Sequence, residues 1–336
     1  MVKLYLKAFT LKKAINALKV FYSYHYSRIT KNPFISGYPI SIAIEPTTSC
    51  NLRCPECPSG LRSFTRPTGM LTNELFSQMI DSMQSTLSYL TFYFQGEPYL
   101  NKNFLEMVSI AHKRNIITST STNAHYLDDE TARKTVVSGL SKLVVSLDGT
   151  DAETYEKYRV GGDLQKVKEG IQNLVKWKKQ LRSNYPIIDL QFIVFKHNQH
   201  QIDDIKKLGK ELQVNRVSIK TAQVYDYENG SELIPTIDRY SRYKLDKNGR
   251  YHIKSKLLNQ CWRMWQSCVI TWDGKIVPCC FDKDAKYQLG SINKNSFKEI
   301  WKGASYQKFR ASLLKSRSEI DICKNCTEGL SVFSDN

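Results

Sequence analysis

From residue 40 onward, short apolar runs alternate with stretches whose apolar residues recur at helical spacing. The runs Ile40–Ile44, Leu90–Phe94, Ile116–Thr120, Leu143–Leu147, Ile188–Phe195 and Arg216–Ile219 read as short strands. Between them, helical periodicity covers Asn73–Ser85, Phe104–Lys113, Asp128–Ser138, Leu164–Gln180 and Ile202–Leu212. Thr72, Asn101 or Asn103, and Asp128 stand where N-caps belong. Such alternation predicts an α/β fold with a parallel sheet and right-handed crossovers. Six units are too few to close an eight-stranded barrel, so a partial (β/α)6 TIM-type barrel is expected over residues 39–224. Sites in such sheets form at the carboxyl ends of the strands.

The flanks read differently. Over residues 10–25, Leu11, Ala14, Ile15, Leu18, Phe21 and Tyr22 line one helical face, with Lys12, Lys13 and Lys19 on the other. Residues 1–38 are therefore expected as a basic amphipathic segment. Its helix packs on the main domain, with a membrane surface as the alternative. Residues 225–260 are polar, Tyr-rich and weakly periodic, and read as a linker with some helix. Residues 261–336 form a smaller C-terminal unit, in which Ile270–Pro278 reads as a β-hairpin turning at Asp273-Gly274.

Composition narrows the class. With 336 residues and 41% hydrophobic content, the chain can bury a sizeable core. No run of about 18 apolar residues appears, and the basic N-terminus lacks a continuous apolar stretch and a small-residue cleavage site. The expected compartment is cytoplasmic. Nine cysteines, an odd number clustered at 50–57, 261–280 and 323–326, then point to metal or redox work instead of disulfides. The net charge of +17 favours acidic partners: nucleic acid, anionic lipid, an acidic peptide or an acidic electron carrier. Beyond residue 38 no dense basic run is interleaved with aromatics, which disfavours nucleic acid.

The chemistry concentrates in Cys50-Asn51-Leu52-Arg53-Cys54-Pro55-Glu56-Cys57, directly after the first strand. This spacing supplies three thiolates in one loop. A four-iron cluster takes one cysteine per iron, so three leave one iron open to another ligand. Structural zinc is the alternative, but it usually draws its ligands as two close pairs.

The CxxxCxxC loop, so placed in a βα array, resembles the signature of the radical S-adenosylmethionine (SAM) superfamily. That resemblance implies a [4Fe–4S] cluster on Cys50, Cys54 and Cys57, with SAM chelating the open iron. It also implies reductive cleavage of SAM to a 5′-deoxyadenosyl radical that abstracts hydrogen from a substrate. Glu56 stands where many members carry an aromatic residue that packs near the adenine. Gln95-Gly96-Glu97-Pro98 resembles the family's GGEP motif, which implies that Gly96 and Glu97 hold the SAM amino group. Ser119–Asn123 and Val145–Gly149 are similar to two further strand-end segments. They imply Asn123 and Ser146 at the carboxylate or ribose of SAM, and either a ligand contact or a turn cap for Asp148. Arg159 matches the family's recurring Arg, which faces the SAM carboxylate.

Cys261, Gly274, Cys279 and the Cys323-Lys324-Asn325-Cys326 pair resemble the family's C-terminal SPASM or shorter "twitch" domain. This implies an auxiliary [4Fe–4S] cluster on Cys261, Cys279, Cys323 and Cys326. The residue text leaves Cys280 as an alternative to Cys279, and Cys268 as a spare or buried thiol; a zinc ribbon is the other reading of these thiolates. Four thiolates leave no open iron, so the expected role is electron transfer in a net oxidation. Asp282 is a candidate base for deprotonating a substrate radical. The resulting expectation is a radical SAM oxidoreductase or maturase acting on a peptide, a protein or a small polar metabolite. Its electrons would come from a reducing carrier such as flavodoxin or ferredoxin. The alternatives are a non-enzymatic iron–sulfur or zinc scaffold and a nucleic-acid-modifying relative.

Overall fold

The structure is a computed structural model and describes residues 8–327. Lys3, Lys7 and the end of the 261–336 unit lie outside the described residues. The strands are β1 (Ser41–Ile44), β2 (Tyr89–Thr91), β3 (Ile117–Thr122), β4 (Lys142–Ser146), β5 (Ile187–Val194), β6 (Arg216–Thr221), β7 (Tyr243–Leu245), β8 (Tyr251–Ile253), β9 (Ser267–Ile270), β10 (Lys275–Val277) and β11 (Gly290–Ser291). The helices are α1 (Leu11–Thr30), α2 (Pro58–Leu61), α3 (Asn73–Met83), α4 (Phe104–Lys113), α5 (Asp129–Val137), α6 (Ala152–Tyr158), α7 (Leu164–Gln180), α8 (Ile202–Glu211), α9 (Arg263–Gln266), α10 (Phe297–Lys302), α11 (Ala304–Ser316) and α12 (Asp321–Lys324). The fold is α/β with a mostly parallel central sheet, as the alternating pattern predicts.

The chain divides into two compact units. One comprises the segment up to Ser49 with Phe64–Thr120 and Leu257–Cys326. Its strands run in the order β11-β10-β9-β1-β2-β3, with β9, β1, β2 and β3 parallel and β10 and β11 antiparallel. The C-terminal hairpin is thus not a detached module: β9 pairs with β1 in register, Ser41 opposite Ser267 and Ile44 opposite Ile270. At its turn Gly274 takes φ +79°, a left-handed value that glycine adopts without strain. The core beneath is aromatic, with Phe92 against Phe76 and Phe104 at centroid distances of 5.4 and 5.6 Å. Thr72 caps α3 by accepting from Leu75 N at 3.3 Å. Asn101 instead ties chain segments together, donating to Pro46 O and Leu71 O at 2.8 and 2.9 Å.

The second unit comprises Cys50–Ser63 and Ser121–Lys256. Here β4, β5 and β6 are parallel neighbours, and Asp128 caps α5 through Thr131 N at 2.7 Å. Of residues 225–260, expected as linker, 225–256 belong to this unit. They carry the antiparallel β7–β8 hairpin, and one short 3₁₀ turn (Asp238–Tyr240) where some helix was expected. Their tyrosines supply the packing that weak periodicity conceals. Tyr227 stacks on Tyr243 at 4.5 Å, and the Tyr243 hydroxyl donates to Val224 O at 3.0 Å.

Helix α1 reverses the expected polarity. Asn16, Val20, Ser23, Tyr24 and Ser27 are buried, while Leu11, Ile15, Leu18, Phe21 and Tyr22 are exposed. The buried face works because its polar groups are paired. Asn16 donates to Tyr38 O at 2.8 Å and accepts from Tyr38 N at 2.9 Å, and Ser27 accepts from Phe34 N at 2.8 Å. Among the described residues no helix is long and apolar enough to cross a membrane.

Candidate functional site: two cysteine centres

The first centre is the loop after β1. Leu52 N points at Cys50 Sγ at 3.5 Å, and Asn123 Nδ2 reaches the same sulfur at 3.9 Å while donating to Asn51 Oδ1 at 2.8 Å. His125 steadies Asn123: its Nδ1 lies 3.1 Å from Asn123 Oδ1, and its Nε2 accepts from Asp163 N at 2.7 Å, ahead of α7. Arg159 Nη1 lies 3.8 Å from Cys54 Sγ. The same guanidinium is clamped on Asp148 Oδ2, with Nε at 2.7 Å and Nη2 at 2.6 Å. Asp148 is itself fixed by Ile193 N at 2.7 Å. Burial works against the charge of Arg159, yet Asp148 and the Cys54 sulfur hold its pKa above the ordinary range. Burial pushes the Cys54 thiol up, and Arg159 opposes that shift.

N–H groups and a permanent cation directed at sulfur are what a cluster's thiolates require, since such contacts set cluster potential and ligand orientation. The donor set therefore fits a cluster site. Among the described residues no three His, Cys, Asp or Glu side chains converge to hold a single metal ion. Cluster thiolates, by contrast, each bind a different iron.

Ser146, at the end of β4, sits 3.3 Å from Ser121 Oγ. Leu52 and Cys54 pack in one cluster with Tyr158, Phe195, Val224 and Tyr243, and Cys50 and Cys57 lie against it. Glu56 Oε2 accepts from Tyr225 N at 2.9 Å. Burial, then the neighbouring Cys57 and Glu56, raise the pKa of the Tyr225 phenol. Sequence spacing could not show the contact of Glu56 with Tyr225, because the two residues are far apart in the chain.

In the first unit, the Gly96-Glu97 turn is seated on the Thr47–Ser49 segment that follows β1. Glu97 N donates to Ser49 O at 2.7 Å, and Glu97 Oε1 accepts from Tyr99 N at 3.3 Å. Gly96 takes φ +75°, and a Cβ there would lie 2.3 Å from Thr47 O and 2.8 Å from Ser49 O. A side chain meets backbone on this face, so G96A displaces the segment leading into Cys50. The expected result is at least a tenfold, order-of-magnitude loss of SAM affinity with iron content kept, measured by equilibrium dialysis.

The candidates for the second centre are Cys261, Cys279, Cys323 and Cys326. Burial and then the neighbouring sulfurs of Cys280, Cys261 and Cys326 hold the Cys279 thiol well above its ordinary pKa. Cys280 is exposed, whereas Cys323 and Cys326 are buried. Cys268 belongs to the core instead. It lies on β9 opposite Ile42, and burial pushes its thiol up to about 12.

Arg317 was not among the sequence candidates. It is 3% exposed, and its Nη1 donates to Gln260 O at 3.1 Å. Burial opposes its charge, but the sulfurs of Cys326, Cys261 and Cys323 outweigh that and raise its pKa. A buried cation among thiolates offsets the negative charge of a ligated cluster. R317Q is therefore expected to lower the auxiliary reduction potential and weaken cluster retention, read by an EPR-monitored redox titration.

Asp282 is 1% exposed, and its oxygens accept from Lys286 N and Tyr287 N at 2.8 and 2.9 Å, so it caps the turn that follows it. Burial raises its pKa.

A parallel α/β sheet carrying a three-thiolate loop, and a second thiolate centre beyond it, define an iron–sulfur enzyme. The family model for the radical SAM superfamily matches residues 44–209, and that for the SPASM iron–sulfur cluster-binding domain matches residues 261–327. The chain belongs to the radical SAM superfamily, carries a SPASM domain, and uses a [4Fe–4S] cluster and SAM. It is an enzyme, which sets aside the scaffold alternative.

It is similar to a tungsten-containing aldehyde ferredoxin oxidoreductase cofactor-modifying protein of Pyrococcus furiosus, 26% identical over 80% of this chain and 82% of the relative. An AdoMet-dependent heme synthase of Methanosarcina barkeri is 25% identical over 87% and 92%, and the mycofactocin maturase MftC of Mycobacterium ulcerans is 25% identical over 86% and 80%. Among solved structures, Streptococcus suis SuiB bound to the precursor peptide SuiA has a TM-score of 0.64 at 14% identity, covering 90% of this chain and 74% of that one. BtrN in complex with AdoMet and 2-DOIA has a TM-score of 0.54 at 18% identity, covering 89% and 96%. At these identities the two structures speak for the shared fold.

Proposed function

We propose that this enzyme cleaves SAM at a cluster held by Cys50, Cys54 and Cys57 and uses the product to modify a peptide. The observation that carries the site assignment is the convergence of Asn123, Arg159 and Leu52 N on the sulfurs of one loop. The cluster, when bound, supplies the electron that splits SAM into methionine and a 5′-deoxyadenosyl radical.

The protein's own residues do the rest by placement. Glu97 supplies a carboxylate for the amino group of SAM, and Gly96 lets its turn approach the Thr47–Ser49 backbone closely. Arg159, kept cationic by Asp148, faces the carboxylate of SAM, while Ser146 and Asn123 offer hydrogen bonds at its polar edge. The apolar cluster of Tyr158, Phe195 and Val224 excludes water from the loop. Cys261, Cys279, Cys323 and Cys326 hold the auxiliary cluster.

A peptide substrate is favoured by the relatives: one is a maturase, and a solved structure of the same fold holds a precursor peptide. The test is anaerobic reconstitution with iron, sulfide, dithionite and SAM, followed by incubation with short peptides encoded beside the gene. We expect 5′-deoxyadenosine formation that rises with peptide, and a changed peptide mass. Turnover on small polar metabolites alone would overturn the peptide assignment. No 5′-deoxyadenosine under any condition would overturn the site assignment.

A further inference from the structure

Helix α1 presents an apolar stripe to solvent. Leu11, Leu18 and Ile29 are 75%, 69% and 77% exposed, and Ile15, Tyr22 and Tyr26 are exposed on the same face. At 3.6 residues per turn these six positions lie within about 40° either side of one line along the helix. A stripe of this kind inside a soluble domain normally turns inward. Here it is locked outward, because the opposite face is fastened down. Asn16 holds Tyr38 through both of its amide atoms, Ser27 holds Phe34, and Tyr24 packs edge-on against Trp265 at 5.6 Å. Turning the stripe inward would break these contacts and bury leucine where carbonyls now find donors.

The charge around the stripe names its partner. Lys12 and Lys19 border it on one side and Arg28 on the other, all exposed, with exposed Lys31 at the end of the helix. Residues 1–38 contain no acidic residue. A second copy docking stripe to stripe would set like charges against each other with no carboxylate from either segment to pair them. An anionic lipid surface satisfies both features. The apolar side chains enter the boundary between headgroups and acyl chains, and the flanking Lys and Arg extend to the phosphates. Phe34, 39% exposed and edge-on to Tyr26 at 5.3 Å, widens the stripe with aromatics, which favour that interface.

We propose that α1 is an interfacial anchor that seats this enzyme on anionic phospholipid membranes. It lies on the surface and does not cross it.

The test is co-sedimentation of the full, anaerobically reconstituted chain with vesicles of phosphatidylcholine alone or mixed with phosphatidylglycerol. The mixed vesicles are expected to bind at least about tenfold more tightly, with binding weakening as salt rises. L18S/I29S removes apolar contact, and K12Q/K19Q removes two surface charges. Each is expected to lower partitioning about tenfold or more, with far-UV circular dichroism, iron content and 5′-deoxyadenosine formation in solution unchanged. Three results would each overturn the proposal: no binding to anionic vesicles above background, undiminished binding by L18S/I29S, or concentration-dependent self-association that this variant abolishes. Preferential binding of an acidic peptide, with vesicles ignored, would do the same.

Discussion

C50A/C54A/C57A is expected to form no 5′-deoxyadenosine above background while keeping about four of the roughly eight irons that two four-iron clusters hold. The two candidate cysteine centres are built from separate residues. The first is one loop whose sulfurs receive Leu52 N, Asn123 and Arg159. The second draws its thiolates from widely separated places in the chain and has its own cation, Arg317. Neither set borrows a cysteine from the other, so loss of one leaves the donors of the other intact. The reciprocal variant C261A/C323A is expected to lose the other half of the iron. N123A should be milder, lowering cluster retention or activity about 10- to 100-fold, because it removes a support and not a ligand. Iron and labile sulfide assays with EPR of the reduced proteins read all three. Loss of all iron in C50A/C54A/C57A would show that the centres depend on each other.

The strand–helix alternation was legible because buried parallel strands are continuous apolar runs, and α4 and α7 begin and end where their periodicity does. The family was legible because the spacing of Cys50, Cys54 and Cys57 within one loop survives any folding. Three features were not. The polarity of α1 was hidden because Asn16, Ser23 and Ser27 look like a solvated face until their carbonyl and amide partners are in place. The packing role of residues 225–256 was hidden because stacked tyrosines need no period. Arg317 was hidden because a basic residue at the end of a Lys-rich helix reads as surface, and only burial beside three cysteines distinguishes it. Asp282 stood out in the sequence as a carboxylate near a cysteine, and the backbone N–H groups of Lys286 and Tyr287 from which its oxygens accept could be seen only in the fold. Periodicity reports what the solvent sees, whereas these assignments depend on pairings between distant residues.

R66A is expected to destabilise the fold by about 3–5 kcal/mol, because it strands a buried carboxylate. Arg66 grips Glu45 with two nitrogens, Nη1 at 2.8 Å and Nη2 at 2.6 Å, and the side chains are 5% and 0% exposed. Without Arg66, Trp272 N at 3.3 Å is the one hydrogen bond left to the Glu45 carboxylate among the described residues. Even with its partner present, burial raises the Glu45 pKa above the ordinary carboxylate value. The folded state therefore holds its proton to higher pH than the unfolded state, and stability falls as pH rises from the unfolded to the folded pKa. Removing Arg66 deletes the strongest opposing influence and widens that window upward. The deficit of R66A should accordingly be larger at pH 8 than at pH 6, and should shrink in E45Q/R66M, which removes both charges. Urea unfolding midpoints at the two pH values measure it, and a deficit equal at both would show that Glu45 is not the group left stranded. Glu45 directly follows β1 and is followed by the Pro46–Ser49 stem, where Ser49 O accepts from Glu97 N. The same substitution should therefore loosen the loop that carries Cys50, lowering iron retention at the first centre before the fold itself is lost.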